Sequence, residues 1–180
     1  MRIIGGQWRR TRLPVADRPG LRPTPDRVRE TLFNWLGQDL SGWRCVDLFA
    51  GTGALGLEAA SRGAAQVQMV ELDAALVRDL QSLCTRLGAT QVTVTRGDGV
   101  ALAQALPAES LDLAFIDPPY AAGLFEPTLR AVRAALKPDA RVYLEAPQPL
   151  TDDALTALGY RLLRHLKAGS VHAHLLAPTA

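Results

Sequence analysis

Cysteine is nearly absent. Cys45 and Cys84 are the only two in 180 residues, far apart and in no metal-ligand or redox spacing. That excludes a disulfide framework and a metal site built on cysteine, and two reduced thiols suit a cytoplasmic protein. No apolar run approaches the roughly 20 residues that cross a bilayer, so no membrane association is expected. The opening Met1-Arg2-Ile3-Ile4-Gly5-Gly6 lacks the apolar stretch of a signal peptide. Of the few histidines, His172 and His174 share one strand face without a third ligand, so no metal is expected. Acidic residues are scarce at the front of the chain. Residues 1–30 hold eight arginines against Asp17, Asp26 and Glu30, while the remainder is mildly acidic. A basic N-terminus on an acidic body points to a polyanionic partner.

Apolar residues make up 48% of the chain, enough to bury the core of one soluble domain of this length. Residues 1–20 read as a basic hairpin arm, with strands over 2–4 and 11–15 around Gly5-Gly6, and residues 21–180 as a single domain. Trp8 lies among Arg9, Arg10 and Arg12, where a ring can stack on a base while guanidinium groups take phosphates; packing of the ring onto the body is the competing reading. Arg22, Arg27 and Arg29 continue the basic stretch. Thr24 or Asp26 is positioned to cap a first helix with Pro25 in its first turn, and Val28, Leu32, Trp35 and Leu36 fall on its core face.

From Arg44 onward strands and helices alternate. Strands are expected over 45–49, 67–71, 91–95, 111–116 and 140–145. Helices are expected over 54–62, after Asp73 with Leu76, Leu80, Leu83 and Leu87 on one face, after Asp98, and over 127–136 and 151–158. Segments 160–166 and 171–176 flank Lys167-Ala168-Gly169-Ser170 as a hairpin. This order predicts a Rossmann-like α/β fold: seven strands, mostly parallel, with an antiparallel last strand.

Two motifs carry chemistry. The first is Asp117-Pro118-Pro119-Tyr120, directly after the apolar run Leu111 to Ile116. A buried strand there delivers an acid, two prolines and an aromatic to the carboxyl edge of the sheet, where open α/β sheets bind ligands. Prolines stiffen the turn and remove backbone donors. A carboxylate, a carbonyl and a π-face together suit a planar group bearing NH2, although Asp-Pro-Pro is also an ordinary strand-ending turn.

The second is Gly51-Thr52-Gly53-Ala54-Leu55-Gly56, a full G-x-G-x-x-G between a strand and a helix. Leu57 stands where a P-loop requires lysine, so a P-loop is not expected. Glu71 closes the second strand and is placed to accept ribose hydroxyls. A nicotinamide dinucleotide and S-adenosylmethionine both remain. Asp47 and Phe49 before the loop favour the cationic methyl donor over a pyrophosphate, Asp98 is placed to meet an adenine amino group, and no residues are left for a dehydrogenase's substrate domain. As a structural alternative, Asp98 is a helix cap.

The run Asp47-Leu48-Phe49-Ala50-Gly51-Thr52-Gly53, then Glu71, Asp98 and Asp117-Pro118-Pro119-Tyr120, resembles the class I S-adenosylmethionine-dependent methyltransferases of exocyclic amines. Arg2-Ile3-Ile4-Gly5-Gly6, Arg22-Pro23-Thr24, Arg27-Val28-Arg29-Glu30-Thr31-Leu32-Phe33-Asn34 and Gly53-Ala54-Leu55-Gly56-Leu57-Glu58-Ala59 resemble the RsmD family more narrowly. That resemblance covers residues 2 to about 120. It implies methylation of the 2-amino group of a guanine in bacterial 16S ribosomal RNA, within the small subunit or an assembly intermediate; a monomeric, cytoplasmic protein is expected. It also implies a cofactor site of Asp47, Phe49, Ala50, Gly51, Gly53, Glu71, Leu72, Asp98 and Gly99. Catalysis falls to Asp117, Pro118, Pro119 and Tyr120, and RNA contact to Trp8, Arg9, Arg10, Arg12, Arg22, Arg27 and Arg29. The motif's fit to any planar NH2 leaves an adenine 6-amino group or a glutamine amide as alternative acceptors. A non-catalytic RNA-binding factor is the alternative of another class.

Overall fold

The computed structural model describes residues 1–15 and 23–180. Seven strands form one sheet: β1 Arg44–Asp47, β2 Gln66–Glu71, β3 Val92–Arg96, β4 Leu111–Ile116, β5 Leu136–Ala146, β6 Tyr160–Ala168 and β7 Val171–Pro178. Their order is β3-β2-β1-β4-β5-β7-β6. Strands β1 to β5 pair in parallel, and β7 runs antiparallel to both β5 and β6. This is the Rossmann-like arrangement read from the sequence. The order reverses between β1 and β4, and the crevice at that switch point is where such sheets hold ligands.

Among the described residues six α-helices cover the two faces: α1 Asp26–Leu36, α2 Ala54–Ser61, α3 Ala74–Leu87, α4 Gly99–Ala105, α5 Phe125–Val132 and α6 Asp152–Ala157. One core cluster joins α1, α2 and α3 to the sheet through Leu32, Phe33, Leu57, Leu80, Phe115 and Tyr143. The other joins α4, α5 and α6 to the opposite face through Ala103, Leu129, Val132, Leu155 and Ile116. The central strands are apolar because helices bury them on both sides. Asp73 caps α3 by accepting from the N–H groups of Ala75 and Leu76, and Gly88 ends it in the left-handed conformation at φ 64°.

Several boundaries differ from the sequence reading, each for a tertiary reason. The N-terminal hairpin reduces to one bridge between Arg2 and Arg12, with the Ile3 N–H donating to Thr11 O at 2.9 Å. The segment docks on the body. Ile3 and Leu13 are buried, and the N–H groups of Ile4 and Gly5 donate to the two carboxylate oxygens of Glu58 at 2.9 and 2.8 Å. Pro25, not Thr24 or Asp26, is the N-cap of α1, with no side-chain capping bond. Thr24 donates elsewhere, and Asp26 pairs with Arg29 at 2.5 Å. Phe33 and Arg29 are buried on α1, whereas Trp35 and Leu36 are only partly covered. Strand β5 begins at Leu136, four residues before the expected start, because Leu136 already pairs with Leu111 ahead of a register shift. Helix α5 therefore ends at Val132 rather than running to 136.

Candidate active site

Five carboxylate-bearing positions come to the carboxyl edge of the sheet: Asp47 at the end of β1, Glu71 at the end of β2, Asp98 after β3, Asp117 after β4 and Glu145 near the end of β5. A parallel sheet forces this, since every strand delivers its last residue to the same side.

The turn from β1 to α2 is built around two of these acids. Gly51 and Gly53 take φ of 54° and 78°, a conformation that L side chains rarely adopt. Gly51 N–H donates to Glu71 Oε2 at 2.8 Å, and Asp73 N–H to Glu71 Oε1 at 3.0 Å. Glu71 thus ties the glycine loop to the second strand. Each of its oxygens retains acceptor capacity. Leu72, beside it, is 62% exposed. Gly56 N–H donates to Asp47 Oδ2 at 3.0 Å. Asp47 Oδ1 is buried and has no hydrogen-bond partner. Burial raises the Asp47 carboxyl to about 7, against the lowering effect of the Gly56 and Phe49 N–H groups, and the charges of Glu71 and Glu145 add to the rise. An ionised carboxylate held there gains from a cation.

These observations fit S-adenosylmethionine. An orphaned buried carboxylate oxygen suits its cationic end, the Glu71 oxygens suit ribose hydroxyls, and exposed Leu72 offers an apolar surface for a ring. The backbone at Ala50 and Gly53 completes the turn: Ala50 N–H donates to Val70 O at 2.9 Å and Gly53 N–H to Ala50 O at 2.7 Å. Asp98 is exposed and caps α4 by accepting from the Ala101 N–H at 2.7 Å. Gly99 is a packing glycine, because a Cβ there would lie 2.2 Å from Leu48 O. A small cavity of about 90 Å³ lies between Pro14 and Val15 on one side and Gly51, Thr52, Leu76 and Leu80 on the other, so the N-terminal segment abuts the glycine loop.

Asp117 leaves β4 beside this turn. Pro118 is buried, Pro119 exposed and Tyr120 half-buried. Burial, then the charges of Glu145 and Asp47, push the Asp117 carboxyl well above the usual carboxylate range, and a hydrogen bond with Glu145 adds to this. Glu145 is itself 3% exposed and accepts from Thr24 Oγ1 at 2.6 Å and from Tyr143 Oη at 2.7 Å, both on Oε1. The Tyr143 phenol is held above its ordinary range by burial and by Glu145.

A family described as Conserved hypothetical protein 95 matches residues 1–177. The chain is 45% identical over 149 residues to the Escherichia coli K12 protein named ribosomal RNA small subunit methyltransferase D, covering 81% of this chain and 74% of that one. It is 39% identical over 180 residues to the Haemophilus influenzae protein of the same name, covering 95% and 90%. The chain belongs to the RsmD family. A solved structure titled as a putative methyltransferase from Escherichia coli superposes with a TM-score of 0.85 at 40% identity, covering 100% of this chain and 98% of that one. The family's methyltransferase identity and its Rossmann-like fold therefore hold for this chain.

Within this RsmD-family fold, the sequence-derived cofactor residues gather at one edge, and Asp117 lies next to them. The basic residues divide. Arg9, Arg10, Arg12 and Arg27 are exposed. Trp8 is half-buried, packs against the core and donates its backbone N–H to Ser61 Oγ at 3.0 Å. Arg22 lies outside the described residues. Arg29 does not belong with the phosphate contacts. It is fully buried, bridges Asp26 and Glu58, and donates to the carbonyl oxygens of Thr24 and Arg2. Its charge neutralises Glu58 inside the molecule and is inaccessible to RNA.

The sequence reading missed Glu145 with its donors Tyr143 and Thr24. A signal was available: Glu145 interrupts the apolar run Val142-Tyr143-Leu144, and a charge inside a buried strand requires partners. Those partners lie 121 residues apart in the chain, in the case of Thr24, and no spacing rule reaches that far. His174 is buried and accepts from the Leu150 N–H at 3.2 Å, while His172 stacks on His165 with ring centroids 5.1 Å apart.

Proposed function

We propose that this protein transfers a methyl group from S-adenosylmethionine to the exocyclic 2-amino group of a guanine in bacterial 16S ribosomal RNA, acting in the cytoplasm on the small subunit or its precursor. The names of the family relatives, methyltransferases of small-subunit ribosomal RNA, support the substrate class. The observation that carries the reading is the placement of Asp117 and Pro118 at the end of β4, beside the glycine loop at the sheet's switch point.

S-adenosylmethionine, when bound, supplies an electrophilic methyl carbon. Glu71 and the Gly51–Gly53 backbone would hold its nucleoside end, and Asp47 would offset its positive charge. Asp117 accepts a hydrogen bond from the amine, whose lone pair is otherwise delocalised into the purine ring. The contact localises that lone pair on nitrogen and stabilises the positive charge that develops there. Tyr120 offers a ring for stacking against a base drawn out of its helix or loop. Alignment of amine and methyl carbon contributes much of the remaining rate. Exposed Arg9, Arg10, Arg12 and Arg27 contribute phosphate contacts independent of base identity.

The test is incubation with label-bearing S-adenosylmethionine and undermethylated small ribosomal subunits, followed by nucleoside analysis. N2-methylguanosine is expected. Label recovered as N6-methyladenosine, or in protein glutamine, refutes the guanine assignment. Asp117→Ala should lower turnover by about 10²–10³-fold, by analogy with loss of a preorganised oxyanion donor.

A further inference from the structure

Glu145 is buried beside Asp117, and the amine-methylation reading leaves it without a task. Its Oε1 accepts two hydroxyl hydrogen bonds, from Thr24 at 2.6 Å and Tyr143 at 2.7 Å. Burial raises the Glu145 carboxyl above its ordinary range, and the two hydroxyl donors on one oxygen oppose that rise by favouring its ionised form. Ile116 pairs with Leu144 in the parallel register of β4 and β5, so the residues that follow them, Asp117 and Glu145, lie side by side, and each raises the other's cost of ionising. Two adjacent buried carboxyls resist ionising together, so the pair retains one proton. The hydroxyl donors at Glu145 favour the charge there and the proton on Asp117.

The groups facing this pair reinforce a single negative charge. Asp47 comes from the end of β1, with Glu71 acting on it, and Tyr120 from the turn after Pro119. Tyr143 comes from β5 itself, and Thr24 from the segment entering α1. All are acidic or neutral, which opposes a second ionisation.

We propose that Glu145 is a positioning residue that acts through Asp117: the two carboxyls hold one proton between them, and the proton lost by the methylated amine reaches Glu145 by way of Asp117. This rests on the amine-methylation reading and deepens it. In the transfer, the nitrogen lone pair forms the N–C bond, the C–S bond breaks, and its electron pair stays on sulfur. The nitrogen, now cationic, gives one N–H proton to the unprotonated oxygen of Asp117. In the same step the proton that Asp117 already carried moves across to the adjacent Glu145. The amine ends neutral, Glu145 ends protonated, and Asp117 again carries one proton. Loss of a proton to water after product release restores the starting charge.

The test is single-turnover methyl transfer to undermethylated subunits across the acid-to-neutral range, with Glu145→Gln, Asp117→Asn, the double variant, Thr24→Val and Tyr143→Phe. Glu145→Gln and Asp117→Asn should each slow transfer by about 10²-fold or more, the usual contribution of a positioned proton transfer. RNA and S-adenosylhomocysteine affinities should change little. The double variant should be no slower than the slower single one, because the pair acts as a unit. Thr24→Val and Tyr143→Phe each strip a donor from Glu145, making it harder to ionise, so the acid limb of the rate profile should move to higher pH. These two carry the test if Glu145→Gln fails to fold. A wild-type rate in Glu145→Gln, single-variant losses that multiply in the double, or an unmoved acid limb would each overturn the role of Glu145. Wild-type protein that transfers no label to a base amine would instead overturn the amine-methylation reading itself.

Discussion

Replacing Asp47 with asparagine makes the cost of burying its charge measurable. Asp47 is 1% exposed; its Oδ2 accepts from the Gly56 N–H at 3.0 Å, and its Oδ1 has no partner. Burial raises the carboxyl from 3.8 to about 7. The native state therefore binds more protons than the unfolded chain between those values. Stability is greatest while the group is protonated and falls as pH rises through that window. The full rise corresponds to about 4 kcal/mol, with about 3 kcal/mol of it falling between about pH 5 and pH 8. Asparagine cannot ionise, so it removes this slope. Its carbonyl can keep the Gly56 hydrogen bond, but its NH2 lands where Oδ1 was unpaired, which costs about 1–3 kcal/mol. Asp47→Asn should thus be about 1–3 kcal/mol more stable than wild type near pH 8 and lose that advantage near pH 5. Urea unfolding of both proteins at the two pH values reads the difference directly. Asp117 and Glu145 titrate in both proteins, so their contribution largely cancels. An equal stability gap at the two pH values would refute the assignment of a raised carboxyl to Asp47.

Three further outcomes are expected. Glu71→Ala should weaken S-adenosylhomocysteine binding by about 1–3 kcal/mol, since it removes the ribose acceptor and the partner of the Gly51 N–H; calorimetry giving an unchanged Kd would take Glu71 out of the site. Glu58→Ala strands Arg29 and Arg62 in the interior and frees the Ile4 and Gly5 N–H groups, so urea unfolding should show a loss of about 3–5 kcal/mol; a loss below about 1 kcal/mol would mean the buried network contributes little. Replacing Arg9, Arg10 and Arg12 together with serine should flatten the slope of log affinity for RNA against log salt by about 2–3 without altering S-adenosylhomocysteine binding. A slope equal to wild type would assign these residues no phosphate contact. Substitution is preferable to truncation here, because removing the segment takes Ile3 and Leu13 out of the core.

Much of the fold and the motif positions was legible in the sequence. Strand β4 is bounded by the same residues in both readings, Leu111–Ile116, because an apolar run closed by Asp-Pro-Pro has one reasonable beginning and one end. The glycine turn, the Asp73 cap and the antiparallel final strand are also local features. They follow from backbone freedom, side-chain hydrogen bonding to neighbouring N–H groups, and a short hairpin turn. Arg29 shows where local reasoning stops. In the sequence it is one of several arginines in a basic stretch; in the fold its neighbour across α2 is Glu58, and burial with that partner separates it from the exposed Arg9, Arg10 and Arg12. Thr24 and Glu145 show the same limit. A helix-capping position explains Thr24 by local rules, yet its hydroxyl serves a carboxylate far away in the chain. Periodicity and capping report on interactions a few residues apart, so they determined the elements and their order. Which charges are solvated and which are neutralised in the interior depends on contacts between distant segments, and only the packed tertiary structure decided that.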